Sequence, residues 1–187
     1  MTGGGTRVDE AQRQIRIECA GGGPGAVVSA LVWLVAALVY RQTDTATAFA
    51  ALFFGGFLIY PLGVVLCRLV FKRSASVAGN PLGGLALEST IAMIGCLLAA
   101  WLLLDTRPEW VFPIAAIAVG THYFAFKTMY GDRTYWLLGA ILTVLGCAAL
   151  FWLPGQTLAL MLAFAAVEFV FGIVLTRKAL AEGATAA

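Results

Sequence analysis

Six long apolar stretches, separated by short polar connections, constrain this chain more than any other feature. Each is close to the roughly 20 residues that an α-helix needs to cross the hydrocarbon core of a bilayer. The stretches are residues 20–40, 46–71, 81–104, 110–129, 135–153 and 157–176. Only 12% of the 187 residues are charged, which is about half the fraction found in soluble domains. The sequence therefore predicts an all-α, polytopic membrane protein, a bundle of six transmembrane helices.

The basic residues predict the orientation of this bundle. Of the twelve Lys and Arg residues, all but Arg41 and Arg107 fall on one side of the six-helix topology. Lys and Arg are retained on the cytoplasmic side of a membrane. We therefore expect a cytoplasmic N-terminal segment at 1–19 that can form an interfacial helix, a transmembrane domain at 20–176, and a cytoplasmic tail at 177–187. A signal-peptide core at 26–40 is the alternative, but the long leading segment of mixed charge favours an uncleaved first helix.

The composition also argues against several functional classes. A net charge of +2 is too small to suggest a nucleic-acid partner. Four isolated cysteines and one histidine do not form a zinc-ligand pattern, so neither a metal nor another cofactor is predicted. The chain has no GxSxG, HExxH, P-loop or dinucleotide-binding motif. Nothing in the sequence therefore identifies an enzyme.

Four ionisable residues within the apolar stretches are the candidate binding site. Charged groups inside a bilayer cost about 2.5–3.5 kcal/mol each on insertion scales, and they usually face the bundle interior. Counted along the helix axes, all four lie about 6–13 Å inside the predicted cytoplasmic boundary. They are Glu168, His122, Glu88 and Arg68. The sequence predicts that these side chains form one polar layer in the cytoplasmic half of the bundle.

Two more detailed predictions concern how this layer is built. Glu168 is the deepest of the four, and we expect it to pair with His122 first and Arg68 second. Asn80 is predicted to cap the third helix, with Pro81 as its first residue, so that Glu88 faces inward. The other interpretation is that Arg68 reaches the head groups and the two glutamates only hold helices together.

Three short motifs in order along the chain are similar to a known family. They are Tyr60-Pro61-Leu62-Gly63, Asn80-Pro81-Leu82, and His122-Tyr123-Phe124 with Tyr130-Gly131. Across roughly residues 10–175 the chain resembles DUF7010, a bacterial family of six-helix membrane proteins of unknown function. The resemblance implies a small integral membrane protein and supplies no catalytic residues.

These observations lead to one leading function and two alternatives. We expect a multi-pass protein of the bacterial inner membrane, a small transporter or binding protein whose polar layer, open to the cytoplasm, takes a small molecule, a cation or a proton. One alternative is a membrane-embedded enzyme with a Glu/His acid–base pair. The other is a structural or partner-binding membrane protein. The sequence indicates neither the substrate nor the oligomeric state.

Overall fold

The computed structural model describes residues 3–184, with side chains from Arg7 onward, and this part of the chain contains helices, turns and coil but no β-strand. Between these limits lie eight α-helices and a short 3-10 helix, Ala20–Gly22. The α-helices are α1 (Gly3–Glu18), α2 (Gly23–Tyr40), α3 (Thr45–Gly56), α4 (Ile59–Leu69), α5 (Gly84–Trp101), α6 (Pro108–Tyr130), α7 (Thr134–Phe151) and α8 (Thr157–Ala184). The predicted all-α class is confirmed.

Most of these helices have the length and hydropathy of membrane spans. Within the described residues, α2 with its preceding turn, α5, α7 and α8 each qualify, and the bent pair of α3 and α4 can form a fifth span. α6 does not qualify, although it has 23 residues. It carries Glu109, His122 and Lys127, which lower its hydropathy. Among the described residues, an all-α chain with four or five candidate membrane spans is thus confirmed, whereas the predicted number of six spans is not.

The predicted second helix, 46–71, is broken into two. α3 and α4 meet at an angle of 47°. Gly55 and Gly56 are weak helix formers at the end of α3, and Pro61 lies in the first turn of α4. Proline has no N–H to donate to the carbonyl of Phe57, and in a continuous helix its ring would clash with that carbonyl. The bend therefore has a local cause, which the hydropathy of the continuous apolar stretch does not indicate.

The predicted start of the third helix is wrong. α5 begins at Gly84, and residues 81–83 form turns. The Oδ1 of Asn80 accepts a hydrogen bond of 3.0 Å from the N–H of Leu82, and its Nδ2 donates to the carbonyl of Ala11 at 2.9 Å. Asn80 thus closes a turn and ties it to α1, because its short side chain bonds backbone groups outside a helix as readily as at its cap.

Two central helices, α2 and α6, organise the packing of the others. α2 packs against α3, α4 and α8, and α6 packs against α5, α7 and α8. At one end of the bundle, Phe49 and Phe112 are fully buried in an aromatic cluster that also includes Trp101. α5 is the most exposed of the spanning helices, with 11% of its apolar window buried. The described core therefore lies among α2, α6, α7 and α8.

Glycines allow two of these helix pairs to approach closely. A Cβ atom on Gly172 would lie 2.7 Å from Cγ2 of Val27 and 3.0 Å from the carbonyl oxygen of Gly23. A Cβ atom on Gly139 would lie 2.9 Å from the carbonyl oxygen of Gly120. Small residues of this kind are typical of helix contacts in membranes. They hold α2 against α8 and α6 against α7 at the depth where the polar side chains lie.

The polar ends of the chain pack together at one end of the bundle. α1 buries Ile15 completely, and Gln12 Nε2 donates 2.8 Å to the carbonyl of Thr128 near the end of α6. α8 continues to Ala184, two turns past the predicted limit at 176. Residues 1–2 and 185–187 of the two predicted terminal segments lie outside the described residues. The division into terminal segments and a transmembrane domain stays a prediction.

Candidate functional site: a carboxyl group buried between three helices

Glu168 lies at the centre of the polar interior. Glu168 lies on α8, between Val167 and Phe169 in the sequence, and its side chain is 0% exposed. The Oε1 atom accepts a hydrogen bond of 2.7 Å from the hydroxyl of Tyr123 on α6 and one of 2.9 Å from the hydroxyl of Ser29 on α2. Three helices that are distant in sequence therefore meet at one carboxyl oxygen. We call Glu168, Tyr123 and Ser29 the carboxyl triad.

The local helix geometry explains why these side chains meet. Residues four apart lie on the same face of a helix, so Trp33 follows Ser29 on α2 and Phe164 precedes Glu168 on α8. The rings of Trp33 and Phe164 are 4.3 Å apart between centroids. One turn beyond Glu168 on the other side, Gly172 allows the close crossing with Gly23. The triad is thus fixed between an aromatic contact and a glycine contact of the same two helices.

The second oxygen of Glu168 lacks a partner. Oε2 is buried and makes no hydrogen bond among the described residues. Both groups that bond Oε1 are neutral hydroxyls. An ionised carboxylate here would be a buried charge without a bonded cation, whereas a protonated one would present an O–H at Oε2. In the ionised form Oε2 can take up a proton, and in the protonated form its O–H has no acceptor among the described residues.

The predicted partners of Glu168 are wrong. His122 is next to Tyr123 in sequence, but its ring lies 4.6 Å from that of Phe126 and it interacts with the backbone of Ser89 on α5. Its Nδ1 atom is buried without a hydrogen-bond partner in the described structure. Successive helical residues point about 100° apart, so Tyr123 and His122 face different neighbours. Tyr123, not His122, faces α8.

The other two predicted site residues lie on the surface. Arg68 is exposed and donates from Nε to the carbonyl of Ser74 at 3.0 Å. Glu88 is exposed on α5, so the prediction that it faces inward is wrong. α5 packs mainly against α6 and leaves that face uncovered. The structure thus separates the predicted layer into the carboxyl triad, a half-buried imidazole and two exposed charges. Whether any of the four predicted residues binds a ligand stays a prediction.

Two cavities lie elsewhere in the bundle. One of about 440 Å³ is lined by charged residues near the ends of α1, α6 and α8, and one of about 410 Å³ lies between apolar faces of α2, α4 and α8. Neither is lined by Glu168, His122 or Glu88. In the described part of the chain, no three His, Cys, Asp or Glu side chains are grouped to hold a metal ion. The triad thus lies outside both of these cavities.

Sequence reasoning missed two members of the triad. Ser29 lies in a long apolar helix and Tyr123 directly follows His122, but neither is among the four predicted site residues. The sequence signal for these two residues is weak. Ser29 is the one hydroxyl in the apolar sequence of α2 between Gly23 and Tyr40 apart from the terminal Tyr40. Buried Tyr hydroxyls such as that of Tyr123 usually have a hydrogen-bond partner.

The described part of the chain is all-α, and its long apolar helices are those of a membrane-embedded protein. Within that class, residues 8–178 match the family of unknown function DUF7010. The chain belongs to this family. Comparison with curated proteins and with solved structures finds no match.

Proposed function

We propose that the chain crosses the bacterial inner membrane six times, with both termini in the cytoplasm. The 23 residues of α6 span about 35 Å at 1.5 Å per residue, enough to cross the hydrocarbon core. α6 also packs between α5 and α7, both of which have the character of spans. The polar residues that lower its hydropathy lie near its ends, apart from His122, which faces α5. The bent pair of α3 and α4 then counts as one span.

We propose further that the protein is a small transporter or ion-binding protein, and that the carboxyl triad is its intramembrane proton site. The observation that carries this proposal is the position of Glu168, fully buried with one oxygen doubly hydrogen-bonded and the other without a partner. Intramembrane ionisable residues are expensive, and they commonly serve ion or proton pathways. A proton needs no cavity, which agrees with the close packing around the triad.

The two alternatives receive less support. A Glu/His acid–base pair needs hydrogen-bond reach between the two groups or through one water, and Glu168 is bonded to Tyr123 and Ser29 instead. A purely structural role would be served by a hydroxyl or an amide, which costs less to bury than a carboxyl group. The unpartnered Oε2 adds to that cost and strengthens no helix contact. If Glu168 binds a proton, Oε2 is the oxygen that takes it up, and the unpartnered oxygen then has a function.

Electrical recording on a supported membrane tests this function. The protein is reconstituted in liposomes, adsorbed to the support, and exposed to a rapid pH step. A proton that binds inside the membrane displaces charge and produces a transient current without any added substrate. We expect this current for the parent and for Glu88→Gln, the matched control that removes an exposed carboxyl from α5, and not for Glu168→Gln. No current from the parent, or an unchanged current from Glu168→Gln, would contradict the proposal.

A further inference from the structure

The cavity of about 440 Å³ lies at the polar end of the bundle, away from the carboxyl triad. Its walls come from α1, from the turn between α6 and α7, and from the last turns of α8. The residues that matter for its chemistry are Arg16, Asp132, Arg133, Lys178 and Glu182. Its volume falls within the range of roughly 300–1,000 Å³ that is usual for small-molecule sites.

Both carboxylates in the wall are already bound by cations. Arg16 donates from Nε and Nη2 to the two oxygens of Glu182, each at 2.9 Å, and from Nη1 to the carbonyl of Tyr130. Lys178 Nζ contacts both oxygens of Asp132 at 2.9 and 2.7 Å. These pairs neutralise the acidic groups and hold the wall in place. They leave little negative charge to repel an anion.

Arg133 supplies the positive charge by which the cations of the cavity wall exceed its carboxylates. It is exposed, and within residues 3–184 its guanidinium makes no ion pair. The wall thus holds three cations and two carboxylates, so one positive charge is not compensated. A guanidinium offers a planar set of N–H donors that matches phosphate oxygens in pairs. The electrostatics therefore favour an anion with several oxygens.

The floor of the cavity is different from its rim. Leu175, Ala179 and Gly21 are all buried and line its inner part. A charged rim above an apolar floor suits a molecule with a phosphate group joined to a less polar body. A bare inorganic ion would occupy only part of this volume.

We propose that this cavity binds the phosphate group of a phosphorylated ligand, with Arg133 as the principal ligand and Arg16 and Lys178 beside it. Two sources share this chemistry: the head group of an anionic phospholipid and a soluble phosphate ester. At the end of a membrane bundle, both can reach the cavity. The proposal does not depend on proton binding at Glu168.

A binding experiment with two arms tests the site and distinguishes the sources. The purified full chain is titrated in detergent with phosphatidylglycerol in one arm and with glycerol phosphate in the other, and binding is followed by native mass spectrometry and thermal shift. The variant is Arg133→Gln, because the exposed side chain of Arg133 makes no ion pair within residues 3–184. The matched control is Lys72→Gln, which removes an exposed positive charge outside the cavity wall.

We expect Arg133→Gln to weaken binding about tenfold or more, because hydrogen bonds to charged groups contribute that much to an affinity. Lys72→Gln should bind like the parent. Loss in the lipid arm alone identifies a lipid head group, and loss in the soluble arm alone identifies a phosphate ester. No binding to the parent in either arm, or equal binding by the parent and Arg133→Gln, would overturn the proposal.

Discussion

Tyr123 on α6 and Glu168 on α8 are joined by a hydrogen bond of 2.7 Å between the tyrosine hydroxyl and Oε1, and both side chains are buried. The bond links two helices that are otherwise joined by few contacts. The stability and the chemistry of the bundle interior therefore depend on the same pair.

Removal of the tyrosine hydroxyl should destabilise the bundle. Tyr123→Phe keeps the ring, which stacks near Tyr135 at 6.2 Å, but leaves Oε1 with Ser29 as its only donor. We expect the free energy of unfolding to fall by about 1 kcal/mol, measured by denaturation in mixed micelles. Tyr60→Phe is the control, because that side chain is 75% exposed. Equal losses in both variants would show that the hydroxyl of Tyr123 has no specific role.

The crossing of α2 and α8 should not tolerate a side chain at Gly172. Gly172→Ala puts a methyl group 2.7 Å from Val27 Cγ2 and 3.0 Å from a backbone carbonyl. We expect a loss of about 1–3 kcal/mol from overpacking, seen as a lower melting temperature. Gly95→Ala on α5 meets no atom within 4 Å and should be neutral or slightly stabilising through helix propensity. A Gly172→Ala variant as stable as the Gly95→Ala variant would contradict the close crossing.

The ion pair of Asp132 and Lys178 should make stability depend on pH. Burial raises the pKa of Asp132, but hydrogen bonds from Lys178 and Thr134 outweigh it and hold the pKa below its ordinary value. A carboxyl group with a lowered pKa stabilises the fold above its unfolded pKa of about 3.9, and this contribution is lost as the pH falls through the folded value.

We therefore expect Asp132→Asn to lower the melting temperature at pH 7 and to have a smaller effect at pH 3. The change should be modest, below about 1 kcal/mol, because Lys178 is half exposed and exposed pairs contribute little. Asp105→Asn, at an exposed position in another connection, is the control. An effect of Asp132→Asn that is the same at both pH values would show that the ion pair is not its cause.

The sequence predicted the class of fold and the burial of Glu168, but not the faces on which polar side chains meet. The position of a residue along a helix axis follows from counting residues. The direction of a side chain depends on how a helix is rotated against its neighbours. Helices that are apolar on all sides give no periodic signal for that rotation. The sequence therefore led to His122 as the predicted partner of Glu168, whereas its neighbour Tyr123 makes the hydrogen bond.

The helix boundaries show a similar limit. The start of α8 at Thr157 and the end of α2 at Tyr40 agree with the predicted stretches, since polar connections mark them. The bend near Pro61 and the late start of α5 were missed. In both places hydropathy continues across the break, and only backbone chemistry at proline, glycine or asparagine distinguishes a turn from a helix.

Reporter fusions test the proposed topology. An enzyme that is active only in the cytoplasm is fused after residue 184, and another copy is inserted at Thr106, between α5 and α6. With six spans the first fusion should be active and the second inactive. If α6 does not cross the membrane, the C-terminal fusion and an N-terminal fusion should report opposite sides, which would contradict both the six-span count and the common location of the termini.

The central claim is that Glu168 takes up and releases a proton inside the bundle, and infrared spectroscopy tests it most directly. A protonated carboxyl group has a C=O band that an ionised one lacks, so spectra recorded across the pH range of the folded protein follow its titration. Among the bands of the titrating carboxyl groups, we predict a reversible one that Glu168→Gln removes and Glu88→Gln keeps. Tyr123→Phe should shift that band, because Oε1 loses its 2.7 Å donor. The absence of a titrating carboxyl band, or its persistence in Glu168→Gln, would contradict the account.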